Sequence, residues 1–96
     1  MLELRPNCEH CGKDLPYNST EAMICSLECT FCKNCVDTIF HNVCPNCGGG
    51  FERRPSRPKD KLLKYPPKTD KYINPVNLKT FEPLLNKNKN IKPSER

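Results

Sequence analysis

The chain has 96 residues, 35% of them hydrophobic, no tryptophan and a formal net charge of +5, which is enough for one small domain with appendages and too little for an enzyme that encloses a large substrate. All 8 cysteines fall in residues 1–50, which carry a net charge of −3, whereas 7 of the 10 prolines and a net charge of +8 fall in residues 51–96. A stretch of about 50 residues with so few apolar side chains cannot fold on burial alone and needs cross-links or metal.

Residues 1–8 contain no apolar run of signal-peptide length, and nowhere does the chain approach the roughly 18 apolar residues of a membrane span. The expected compartment is the reducing cytoplasm, where paired thiols act as ligands rather than as disulfides. The cysteines come as Cys8/Cys11, Cys25/Cys29, Cys32/Cys35 and Cys44/Cys47, three spaced C-x2-C and one C-x3-C. Each pair can chelate one ion from a single turn, and two pairs complete the tetrahedral thiolate shell of a closed structural zinc site. Eight thiolates predict two zinc ions. Gly12 and Gly48 directly follow a chelating pair, where the chain must turn back with φ > 0 and aim N–H groups at sulfur, and Pro45 stiffens the last turn.

Between the pairs, Glu21–Cys25 reads as a short strand and Thr30-Phe31 as its return, a hairpin. After Cys35, Val36, Ile39 and Phe40 recur at i, i+3 and i+4, one apolar face over barely two helical turns, which Val43 continues. With Leu15, Met23, Ile24 and Phe31 they make a core of a handful of side chains. His10 and His41 are spare in an eight-cysteine count and read as solvated or capping residues; nucleophilic catalysis by a Cys–His pair would need a thiolate released from zinc.

Used in order, the pairs are separated by loops of 13 and 8 residues; interleaved, first with third and second with fourth, by 20 and 14 residues, closer to the common zinc spacing. Interleaving is the better fit, although an eight-residue ribbon can also be built. It assigns Cys8, Cys11, Cys32 and Cys35 to site 1 and Cys25, Cys29, Cys44 and Cys47 to site 2. An iron–sulfur cluster is the rival: Cys29-x2-Cys32-x2-Cys35 matches the start of a ferredoxin motif and a proline follows Cys44, but eight residues separate Cys35 from Cys44 where the motif has three.

The run Cys8-x2-Cys11-x13-Cys25-x3-Cys29-x2-Cys32-x2-Cys35-x8-Cys44-Pro45-x-Cys47, with Phe31 before Cys32, resembles an all-cysteine RING-type cross-brace finger. More closely, residues 1–8 together with Cys29-Thr30-Phe31-Cys32 and Cys44-Pro45-Asn46-Cys47-Gly48-Gly49 resemble a family of short bacterial cysteine-rich proteins of unknown function, over residues 1 to about 57. A RING resemblance would imply a ubiquitin ligase. Such ligases carry an apolar residue before the second ligand, often a tryptophan before the last pair, and a basic residue after the last ligand. Here His10, no tryptophan and Gly48 stand instead, so the metal scaffold is shared and the ligase surface is not.

From Phe51 onward the chain is rich in Lys, Pro and Asn, and seven prolines argue against long helices and central strands. Within it, Lys61–Tyr65 and Phe81–Leu85 read as docking segments or as clusters packed on the zinc domain. Arg53, Arg54, Arg57, Lys59, Lys61 and Lys64 are candidate phosphate contacts, with Tyr65, Tyr72 and Phe81 available for stacking. Two zinc ions on eight thiolates would leave residues 1–50 at a formal −7 against +8 beyond them, so the basic segment has nucleic acid or its own acidic head to bind.

The sequence therefore predicts a small metal-dominated α+β fold: a two-zinc RING-like domain over residues 1–52, with a short β-hairpin and one short helix, and a largely disordered or extended basic tail over residues 53–96. The expected function is a non-catalytic structural zinc module, an adaptor for a protein partner that the residues do not name. No membrane span and no small-molecule substrate are expected. The alternatives are a nucleic-acid-associated zinc protein and a RING-type ubiquitin ligase.

Overall fold

The hairpin forms where the apolar residues between Glu21 and Cys32 can face a common core. In the computed structural model, which describes residues 1–96, β1 (Ala22–Ile24) and β2 (Thr30–Cys32) pair antiparallel with Met23 opposite Phe31. The turn between them is closed by the Cys25 N–H on the Cys29 carbonyl and the Glu28 N–H on the Cys25 carbonyl, with Glu28 at φ 66°. A third strand, β3 (Glu52–Arg53), lies on the other side of β1, giving the order β2-β1-β3. It straddles the expected boundary between head and tail. Both of its side chains are exposed, so it is held by backbone pairing and carries no apolar signal.

Directly after β2 comes α1 (Lys33–Cys35), whose chain runs on through a wider π-helical turn, Val36–Phe40. Val36 and Phe40 are buried and Ile39 packs partly against them, the face expected from their spacing. His41 and Asn42, at φ 48° and 61°, end the helix in the left-handed region, which Asn tolerates better than most residues.

Arg54 ties three separate segments together. It is 2% exposed, and its guanidinium donates to the carbonyls of Arg5 at 2.8 Å and of Leu15 and Pro16 at 3.0 Å. Burial and the nearby Arg57 lower its pKa, but a guanidinium stays charged, and its donors satisfy carbonyls that would otherwise be stranded. Arg54→Met is expected to cost about 3 kcal/mol, seen as a lower urea midpoint, while the exposed Arg53→Met should shift stability by less than about 0.5 kcal/mol.

Beyond Arg54 the chain is irregular apart from a 3-10 turn at Lys59–Lys61, then returns across the head and forms α2 (Leu78–Asn88), an 11-residue helix. Where the prolines argue for disordered or extended chain, a helix forms for three reasons. The Asn77 side chain caps it, accepting from the N–H groups of Lys79 and Thr80. Phe81, Leu84, Leu85 and Asn88 fall on one face against the head. Pro83 lies on the exposed face, where the Lys79 carbonyl it leaves without a helical donor can be hydrated.

The core is one cluster in which all four phenylalanines meet edge to face. Phe51 contacts Phe31 at 5.6 Å between centroids, Phe31 contacts Phe40 at 4.9 Å and Phe40 contacts Phe81 at 5.6 Å. Phe81 comes from within residues 53–96, so the segment expected to be a tail contributes to the core of the head.

Candidate metal centres

The first and last cysteine pairs sit in two turns of the same geometry. In one, the Gly12 N–H donates to the Cys8 carbonyl and the Cys8 N–H to the Lys13 carbonyl; in the other, Gly48 donates to Cys44 and Cys44 to Gly49, all at 2.7–3.0 Å. Gly12 and Gly48 have φ +81° and +79°, the left-handed conformation expected from their position after a pair. The other two pairs are placed by the sheet and α1. Cys25 and Cys29 close the hairpin turn, while Cys32 ends β2 and its sulfur accepts the N–H of Cys35 at 3.5 Å.

These elements bring the sulfurs of Cys8, Cys11, Cys32 and Cys35 within 4.8 Å of one another. Cys8 and Cys35 are 3.9 Å apart and Cys11 and Cys32 3.7 Å. A tetrahedral ion with metal–sulfur bonds of about 2.3 Å has sulfur–sulfur edges of roughly 3.8 Å, close to these two distances, so this donor set could hold one ion. Cys25, Cys44 and Cys47 form a second cluster by the same measure. Cys29 stands beside it, its thiol near Cys25 and Cys44, but outside the mutual 4.8 Å shell. All eight cysteines are free thiols, and neither histidine joins a cluster.

Four of the thiols resist ionisation. Burial pushes Cys35 and Cys44 far above the ordinary thiol range, and burial with crowding by neighbouring cysteines also raises Cys29 and Cys32. Cys11 shifts the other way. Its partial burial is outweighed by hydrogen bonds from the Lys13 backbone and from Cys8, Cys32 and Cys35, which bring it below the usual value. Ionised together, four sulfurs packed this closely would need a compensating charge, which a divalent cation is able to supply.

Around the first turn a buried polar shell fixes the ligands, and the cysteine spacing does not reveal it. The Glu9 carboxylate accepts the Thr30 N–H at 2.6 Å and an Arg5 N–H at 3.0 Å, tying the turn to β2. His10, expected to be solvated or capping, accepts the Val76 N–H on Nδ1 at 2.9 Å and lies edge-on to Phe40 at 5.4 Å. His41 is exposed. Among the candidate phosphate contacts, Arg54 is committed to carbonyls, and Arg57 donates to those of Tyr65 and Leu2. Arg53, Lys59, Lys61 and Lys64 are exposed. No helix is long and apolar enough to cross a membrane.

Fold and sites together define a small α+β protein with a three-stranded antiparallel sheet and two cysteine clusters able to hold metal. The chain belongs to the family described as protein of unknown function (DUF1272), which matches residues 1–57. It is 55% identical over 75 residues to an uncharacterised protein of Rhizobium meliloti (strain 1021), a stretch covering 78% of this chain and 89% of that relative. Since 75 residues exceed the family match, the similarity continues into the basic segment. No solved structure matches the chain.

Proposed function

We propose that the protein is a non-catalytic, two-zinc structural module with RING-like cross-brace pairing, working in the reducing cytoplasm as an adaptor for a protein partner. The observation that carries this reading is the Cys8, Cys11, Cys32 and Cys35 cluster, in which pairs distant in sequence meet at the sulfur spacing of a single tetrahedral ion. That spacing favours one mononuclear ion over an iron–sulfur cluster, whose thiolates sit on different irons. With every donor supplied by the chain, no coordination position is left for substrate, which supports a structural role. Cys25, Cys29, Cys44 and Cys47 would hold the second ion after a small inward movement of Cys29.

Native mass spectrometry of the purified chain tests this. The expected result is a colourless protein carrying two zinc ions; visible absorption from iron, or sulfurs bonded to one another, would overturn it. The ubiquitin-ligase reading loses ground because His10 and Gly48, two positions where such ligases differ, lie under the chain's own C-terminal segment. The nucleic-acid reading keeps support from Lys59, Lys61 and Lys64, which are exposed and in no ion pair. It requires affinity that falls steeply with salt.

A further inference from the structure

Residues 72–96 touch the head where its cysteine turns are tightest. At the first turn, the Asn7 side chain donates to the Tyr72 carbonyl at 2.9 Å and accepts its N–H at 3.3 Å, and the Asn74 N–H donates to the Glu9 carbonyl at 2.7 Å. Ile73 covers Gly12 so closely that a β-carbon there would lie 3.0 Å from its Cδ1. At the last turn, Asn88 donates to the Gly48 carbonyl at 3.1 Å and Arg96 to the same carbonyl at 3.3 Å. A β-carbon on Gly48 would stand 2.8 Å from Asn88 Nδ2 and 3.2 Å from Leu84. Between the two contacts, Phe81 is anchored on Phe40.

Each covered glycine follows the exposed cysteine of its cluster, Cys11 in one and Cys47 in the other. For an ion to pass to a competitor, a thiolate must leave it, and the exposed cysteine at a glycine hinge is the one with room to swing out. A side chain seated on the glycine blocks that swing. Charge acts in the same direction, because residues 72–96 carry a net +3 and a four-thiolate zinc site carries −2.

We propose that residues 72–96 are a strap that holds both cysteine turns shut and sets how fast each ion is exchanged, with Ile73 acting on the Cys8/Cys11 turn and Leu84 with Asn88 on the Cys44/Cys47 turn. This rests on the two-ion reading, and it makes metal retention a property controlled from the C-terminal segment. Anything that lifts the strap opens the sites.

The test uses the full chain with its metal count first established by native mass spectrometry, then a competing chelator together with N-ethylmaleimide, and peptide mapping of which cysteines become alkylated with time. Ile73→Ser is expected to speed alkylation of Cys8, Cys11, Cys32 and Cys35 about tenfold, within the range for outer-shell changes at metal sites, and to leave the other four unchanged. Asn88→Ala and Leu84→Ala should do the reverse. Unchanged rates in all three variants would overturn the strap, as would equal acceleration at both sites, which signals global loosening. A wild-type chain holding fewer than two ions overturns the two-ion reading itself, before any rate is measured.

Discussion

On the proposed two-zinc reading, stripping the ions with an excess of a strong chelator is expected to convert the chain from a cooperatively folded state to a largely unfolded one, and returning zinc should restore it. Of the 14 buried hydrophobic residues, Cys8, Cys25, Cys32, Cys35 and Cys44 are five, so more than a third of the core consists of the cysteines of the two candidate metal clusters. Structural zinc contributes about 10–16 kcal/mol in such small domains, against a total stability of about 5–15 kcal/mol for an ordinary domain. Removing the ions therefore takes away about as much free energy as the whole fold has to lose. Loss of the far-UV circular dichroism signal and of amide protection across β1, β2 and α1 is the expected readout. A metal-free chain that kept both would contradict it.

The same argument fixes the sign of the pH dependence. In the metal-free fold burial raises Cys35 and Cys44, so as pH climbs past about 8.5 the unfolded chain gives up its thiol protons first. Any metal-free fold therefore loses stability with rising pH. With metal bound the ligands are thiolates, protons compete with the ion, and stability falls as pH drops. Thermal unfolding of the metal-bound chain between about pH 5 and 8 should therefore give a melting temperature that falls as pH drops.

The cysteine pairs, the glycines after them, the hairpin and the short apolar helix face are all legible in the sequence because each is a local relation among neighbours. The meeting of the first pair with the third is favoured by loop lengths, which also allow the pairs to be used in order. β3 is not legible, since Glu52 and Arg53 pair only through their backbone. Arg54 reads as a phosphate contact because a basic residue in a basic run looks solvated; its burial depends on carbonyls of Arg5, Leu15 and Pro16, which no local pattern brings near. The Phe81–Leu85 fragment has the right spacing for a docked helix, yet Pro83 argues against one. The outcome rests on Asn77 as cap and on the Phe40 edge as a seat, and the seat exists only in the folded head.

That seat gives the second large effect. Phe40→Ala is expected to cost about 3–5 kcal/mol, the usual range for deleting a buried phenylalanine, because Phe40 is fully buried and meets Phe31, Phe81 and His10 at once. Each edge-to-face pair adds about 0.5–1.5 kcal/mol beyond area burial, and three neighbouring rings held by separate elements cannot all move in to fill the cavity. For a domain of this size such a loss lowers the melting temperature on the order of 20 °C. Phe81→Ala removes one aromatic contact rather than three and should cost less, freeing α2 while leaving the sheet in place. Hydrogen exchange separates the two variants. In Phe81→Ala, protection should fall over Leu78–Asn88 and persist in Ala22–Ile24, whereas in Phe40→Ala it should fall in both, because the aromatic chain from Phe51 to Phe81 is cut at its middle.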